Sequence, residues 1–115
     1  MEEKILITTV DGIDIFFTAL PEHSAIADHF DNEHFNIPDM EEKVNNYELV
    51  WFTAQVTAEV DGKELASEYL GGCMYSSYEK FYSEKSCYFE DMQNTVLEEA
   101  KKEIPELIKT LKQCI

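Results

Sequence analysis

No arginine occurs among the 115 residues: all nine basic side chains are lysine, set against 24 aspartates and glutamates, for a formal net charge of −15. The isoelectric point lies near 4.3. Direct binding to nucleic acid or to an anionic membrane needs a positive surface, so this balance argues against both. Long apolar runs are missing too. No stretch of about 18 apolar residues is present to cross a bilayer, and the opening Met-Glu-Glu-Lys has neither the cationic start nor the apolar core of a signal peptide. A cytoplasmic protein is expected. Cysteine is scarce: Cys73, Cys87 and Cys114 are odd in number and widely spaced, with no Cys-x-x-Cys pair. That pattern encodes neither a disulfide framework nor a thiolate zinc site, and reads as three reduced thiols. Gly-x-Gly-x-x-Gly, Walker-type and Gly-x-Ser-x-Gly patterns are missing as well, so nucleotide-binding and hydrolase readings have no support.

What is present is a chain that should fold as one domain, residues 1–115. Hydrophobic residues make up 44% and aromatics 12%, which is too much apolar material for a disordered acidic segment and too short a chain for two cores. Residues 4–20 hold two β-rich runs around Asp11-Gly12, and residues 47–70 repeat the device around Asp61-Gly62. Asp-Gly readily adopts the positive φ angles of a type I′ turn, so each unit predicts a hairpin. In the second, Val50, Phe52, Ala54, Val56, Ala58 and Val60 alternate with Trp51, Thr53, Gln55, Thr57 and Glu59, the period of a strand with one buried face. A tight turn there sets Val60 against Lys63, Ala58 against Leu65 and Ala54 against Tyr69, which predicts Leu65 and Tyr69 on the buried face.

Between the hairpins, residues 21–46 are punctuated by Pro21, Ser24 and Pro38 and read as short helical turns. After Leu70, Gly71-Gly72 is expected to break the strand, and Ser76-Ser77-Tyr78-Glu79 matches a capping box with Ser76 as the cap. A short helix carrying Tyr78, Phe81 and Tyr82 follows. From Phe89 onward Met92, Val96, Ala100, Ile104, Leu107, Leu111 and Ile115 recur at three- and four-residue steps, an amphipathic helix that Pro105 either kinks or restarts. The expected class is α+β: two antiparallel hairpins forming a sheet, packed on one face by a short helix and a long C-terminal helix.

Negative charge is uneven along the chain. Residues 11–48 hold Asp11, Asp14, Glu22, Asp28, Asp31, Glu33, Asp39, Glu41, Glu42 and Glu48 with Lys43 as their only base, while Lys101, Lys102, Lys109 and Lys112 gather near the C-terminus. Lysines late in a helix suit its dipole; clustered carboxylates repel and cost stability. A globule of this length has a radius of gyration of about 13 Å and a diameter of about 35 Å. Duplex DNA places about twenty phosphates along that distance, at one per roughly 1.7 Å. The 22 carboxylates in residues 1–100 are a comparable number, so the domain has the charge to imitate a duplex. Excess carboxylate that serves only solubility is the competing explanation.

The remaining candidates are weaker in pattern. His23, His29 and His34 fall within twelve residues among Asp28, Asp31 and Glu33, ligand types that suit first-row divalent ions. Their spacing matches neither a helical His pair nor a calcium loop. Cys73 follows Gly71-Gly72 at an expected strand-to-helix turn, where backbone amides lower a thiol pKa; a bulge or turn is the ordinary use of such glycines. Phe81 and Phe89 are assigned to the core, with Tyr75, Tyr78 and Tyr82 as an interface rim. Trp51, on the outer face of its strand beside Leu49, is expected to be an exposed apolar contact for a partner or a second copy.

The stretch from Glu64 to Asp91 contains Leu-Ala-Ser-Glu-Tyr-Leu-Gly-Gly-Cys-Met-Tyr-Ser-Ser-Tyr-Glu-Lys-Phe and then Tyr-Phe-Glu-Asp-Met. It resembles small acidic proteins of phages and mobile elements, a class that includes anti-CRISPR and antirestriction proteins, several of them DNA mimics. The resemblance spans about a quarter of the chain and assigns no residue a role. It implies a non-enzymatic inhibitor, in the host cytoplasm if phage-encoded, whose partner is a basic nucleic-acid-binding protein or a CRISPR or restriction complex. The expected partner-binding residues are Asp11, Asp14, Asp28, Asp31, Glu33, Asp39, Glu41, Glu42 and Trp51, with no cofactor. The alternatives are a metal-binding domain using His23, His29 and His34, or a domain whose acidity serves solubility alone. A homodimer through Trp51 or the last helix is compatible with either.

Overall fold

The computed structural model describes residues 3–31, 33–83 and 87–113, apart from the side chains of Cys87 and of 106–113. Its elements in chain order are β1 (Lys4–Val10), β2 (Ile13–Pro21), a single 3-10 turn (Ile26–Asp28), α1 (Ile37–Asn45), β3 (Val50–Val60), β4 (Lys63–Tyr75), α2 (Tyr78–Ser83) and α3 (Cys87–Gln113). The four strands form one antiparallel sheet in the order β1-β2-β3-β4, and α2 and α3 pack on one face, the α+β arrangement expected from the sequence. Both hairpins close as predicted, with positive φ at Asp11 and Gly12 and at Asp61 and Gly62.

Alternation fixes which residues face the helices. Ile15, Phe17, Phe52, Ala54, Val56 and Ala58 point inward and are buried against Phe81, Phe89, Val96 and Ala100. The core is largely aromatic: the Phe81 ring lies 5.6 Å from Phe17, 5.9 Å from Phe52 and 6.0 Å from Phe89, centroid to centroid. Phe81 and Phe89 thus occupy the core positions assigned to them. Tyr75 and Tyr82 also pack on this cluster, so only Tyr78 of the expected rim is exposed.

The second hairpin departs from the predicted register because β4 carries an extra residue in two places. Val60 opposes Lys63, but Ala58 opposes Ala66 and Ala54 opposes Leu70, with irregularities at Leu65 and at Gly71-Gly72. The first bulge returns Leu65 to a half-buried position beside the core and turns Tyr69 onto the open face, 57% exposed. At the second, Gly71 and Gly72 together oppose Thr53, and the strand continues to Tyr75 instead of breaking. A two-residue bulge absorbs the glycines without ending the ladder.

The helices follow the pattern with two adjustments. Ser77 rather than Ser76 caps α2, its Oγ accepting from the Lys80 amide at 3.4 Å. In α3, Met92, Val96 and Ala100 are buried and Ile104 half-buried, and the helix passes through Pro105 as one element. A proline forfeits one backbone hydrogen bond and crowds the preceding turn, a cost this helix carries because its earlier turns are anchored on the sheet. Leu107, Leu111 and Ile115 lie outside the side chains described. α1 is capped by Asn36, whose side chain accepts from the Asp39 amide, with Pro38 in the first turn.

The molecule is longer than a globule of its size. Its radius of gyration is 17.3 Å and its extents are 61 × 23 × 21 Å, against the roughly 13 Å and 35 Å expected for compact packing. Length comes from strands of 11 and 13 residues and from an α3 that continues past the Lys101–Asp11 ion pair at the hairpin end.

Candidate functional site

The acidic stretch that is continuous in sequence is divided by the fold. Asp11 and Asp14 lie at the hairpin end of the sheet, whereas Asp28, Asp31, Glu33, Asp39, Glu41 and Glu42 follow β2 at the opposite end. A nine-residue strand separates the two groups by about 30 Å. Asp61 and Glu64 join the hairpin end, where Lys101 pairs with Asp11 at 3.1 Å. At the other end several carboxylates serve the loop itself: Asp28 accepts from the Ala25 amide, Asp31 from the Glu33 amide and His34, and Asp39 pairs with Lys43. The Glu33 amide and the His34 ring, in that order, hold the Asp31 carboxyl below its usual range.

Trp51 is not the exposed patch expected from alternation. It does lie on the outer face, but the chain after β2 folds back over it: His29 and Phe30 pack against the indole at 5.4 and 6.0 Å, leaving it half-buried. The indole Nε1 donates to the Ser24 carbonyl at 3.2 Å.

Glu22 organises this end of the sheet, a residue that sequence reasoning did not single out. Its Oε1 accepts from the Gly72 amide and from Thr53 Oγ1, and its Oε2 accepts from the Ser24 amide and the Ser24 hydroxyl. One carboxylate thereby ties β2, β3, β4 and the following loop together. The Ser24 hydroxyl is the largest cause holding the Glu22 carboxyl at about 2 instead of 4.5; the Gly72 and Ser24 amides and Thr53 add to it, and desolvation opposes them. Gly72 has φ +68, and a Cβ there would meet the His29 ring at 2.4 Å, so the close approach of ring to strand requires glycine.

The order of bonds decides the chemistry. Ser24 Oγ lies 2.7 Å from both Glu22 Oε2 and His29 Nε2. A hydroxyl has one proton; committed to the carboxylate, it leaves Nε2 to donate to Oγ. In a catalytic serine the imidazole accepts that proton. Here the hydroxyl donates to the Glu22 carboxylate, and the three side chains form a clasp. A folded-state pKa below the unfolded value contributes stability that is complete above about pH 4.5 and is lost as pH falls toward 2. Urea unfolding followed by Trp51 fluorescence is therefore expected to show a loss of stability across that window that is smaller in Glu22→Gln.

The other candidates are spread apart. His23 is exposed and His34 is engaged with Asp31, and among the described residues no three His, Cys, Asp or Glu side chains converge as a metal site. Cys73 lies inside β4 and is 4% exposed; burial pushes its thiol up to about 11, the reverse of an activated cysteine. Its Sγ donates to the Leu70 carbonyl.

A groove of about 430 Å³ borders the clasp. It is lined by β4 from Leu70 to Tyr75, by His29 and Phe30, and by Tyr88 of α3. No helix in the described residues is long and apolar enough to cross a membrane. Comparison with protein-family models, curated proteins and solved structures gave no match.

Proposed function

We propose that the protein acts through binding, as a small acidic inhibitor that occupies the basic groove of a nucleic-acid-binding protein or of a CRISPR or restriction complex. One observation carries this reading. Of the 21 carboxylates whose side chains are described, 17 are exposed, about one for every 3.6 Å of the 61 Å long axis. That is about half the density of a duplex, which carries one phosphate per roughly 1.7 Å, and close to that of one of its strands, at about 3.4 Å. A rod 23 by 21 Å in section with that linear charge density offers a lysine- and arginine-lined groove much of the field of its natural ligand. The division of the acidic residues between two ends fits an elongated partner surface better than a single patch. Trp51 has a positioning role here, under the loop that bears Asp28, Asp31 and Glu33.

Charge reversal tests this reading if it spares the carboxylates that hold backbone amides. Glu33, Glu41 and Glu42 are exposed, and Glu33→Lys, Glu41→Lys and Glu42→Lys together move the net charge from −15 to −9. The wild-type protein is expected to inhibit DNA binding by at least one complex in a panel of restriction and CRISPR effectors, and the triple variant to be at least tenfold weaker with unchanged thermal stability. Inhibition by the variant at full strength, or inhibition of no complex by the wild type, contradicts the reading.

A further inference from the structure

Two strands of the sheet have an outer edge, β1 and β4. Along residues 70–73 of β4 that edge is occupied: the Gly72 amide donates to Glu22, and the Leu70 carbonyl accepts from Cys73 Sγ. β1 differs. Lys4–Val10 pairs with β2 on one side, and among the described residues nothing bonds to the main chain along its other edge. The strand reads Lys-Ile-Leu-Ile-Thr-Thr-Val; five of its seven residues are β-branched and, unlike β2, β3 and β4, it contains no carboxylate. Unpaired main-chain groups on such a strand are a template for another strand. Two devices that commonly guard an edge are weakened here. The Lys4 ammonium lies 2.7 Å from Glu59 of β3 and 4.6 Å from the ring centroid of Phe16 of β2, so its charge is held back over the sheet. A bulge at Ile7 interrupts the ladder, but Lys4–Leu6 and Thr8–Val10 stay in register with β2 on either side of it. Leu6 is 54% exposed, and Ile5, Ile7 and Val10 are half-buried against the core, so apolar side chains reach this edge.

We propose that β1 pairs with β1 of a second copy, antiparallel about a two-fold axis, and joins two four-stranded sheets into one of eight strands. The choice of occupant follows from the charge. A basic partner is drawn to carboxylates, and β1 has none. For two chains of net charge −15, a strand without carboxylates is where edges meet with least repulsion. Seven residues of strand are about 23 Å long, and the bulge shortens the continuous ladder. The contact is smaller than the roughly 1,200–2,000 Å² of stable complexes, so a dissociation constant of about 10–100 µM is expected. The proposal does not rest on the proposed function, and salt separates the two. Repulsion between like chains is screened, so the dimer tightens as salt rises, whereas a basic partner is released.

Sedimentation equilibrium of the full-length protein, from about 5 µM to about 1 mM, is expected to show a monomer–dimer equilibrium that tightens at least threefold between about 0.05 M and about 0.5 M salt. Leu6→Glu and Tyr69→Glu both replace exposed residues and both bring the net charge to −16. The first is expected to dimerise at least tenfold more weakly, and the second to stay within about twofold of the wild type at high salt. Hydrogen exchange of the wild-type protein gives a reading that no variant has to fold for. The β1 amides that β2 does not use are expected to slow as protein concentration rises, while those of Gly71–Tyr75 do not change. A monomer at about 1 mM and high salt overturns the proposal, and so does a dimer that weakens with salt. Equal weakening by the two glutamate variants, or concentration-dependent protection at another surface and not at β1, places any dimer elsewhere and also overturns it.

Discussion

Glu22→Ala is expected to lower the stability of the whole domain by about 3 kcal/mol, although Glu22 lies at the end of a strand and not in the core. The carboxylate accepts from two backbone amides and two hydroxyls. Hydrogen bonds to a charged group are worth about 1.5–3 kcal/mol each in sheltered positions. Water reaches part of this site and replaces some of the loss, so the total is far less than four such bonds. For a domain of this size a loss of 3 kcal/mol lowers Tm by roughly 10 °C or more. The loop over Trp51 loses its anchor at the same time, because Ser24 is bonded both to Glu22 and to the indole. Calorimetry of Glu22→Ala, with Trp51 emission recorded alongside, is expected to show the lower Tm together with a red shift in the folded state. An unchanged Tm would mean that the clasp is ornamental.

Phe81→Ala is expected to cost more, about 3–5 kcal/mol, the range for removing a buried phenylalanine with incomplete collapse around the gap. The residue is 0% exposed and its ring touches Phe17, Phe52, Tyr75 and Phe89. These partners come from β2, β3, β4 and α3, so no single element can move to fill the space. Denaturant unfolding is expected to show a lower midpoint, with α2 exchanging its amides fastest. A loss below about 1 kcal/mol would show that the aromatic cluster relaxes as a liquid would, contrary to close packing.

Local patterns in the sequence carried most of the fold. Asp11-Gly12 and Asp61-Gly62 located both hairpin turns to the residue, because a type I′ turn is encoded in two residues. The alternation in β3 and the three- and four-residue steps in α3 identified Phe52, Val56, Val96 and Ala100 as core. Register was less legible. The bulges at Leu65 and Gly71-Gly72 each depend on what lies across the strand, and nothing near Tyr69 in sequence says that it has changed faces. Gly71-Gly72 was visible but ambiguous, since the same dipeptide ends a strand or bulges it.

The candidate site was harder to read because its contacts are distant in sequence. Glu22 and Gly72 are fifty residues apart, and Ser24 and Trp51 are twenty-seven apart. Pro21-Glu22-His23-Ser24 has no motif that announces a clasp. Trp51 lies on the face that alternation indicates, yet its cover comes from His29 and Phe30, which return over the sheet beside the Glu22–Ser24–His29 bonds. The acidity of residues 11–48 was evident from composition; its division between two ends follows from β2 running through the middle of that stretch.

Affinity capture under controlled salt bears most directly on the basic-partner proposal. Tagged protein is incubated with nuclease-treated bacterial lysate known to hold restriction and CRISPR complexes, then washed at rising salt and, in parallel, with duplex DNA. Charge pairing between a −15 domain and a basic groove weakens steeply as the Debye length falls from about 10 Å at 0.1 M to 3 Å at 1 M. The expected result is a basic nucleic-acid-binding protein that is retained at low salt, released by high salt, and displaced by DNA. Recovery of no such protein, or of one that DNA does not displace, would contradict the proposal and leave the acidity to solubility.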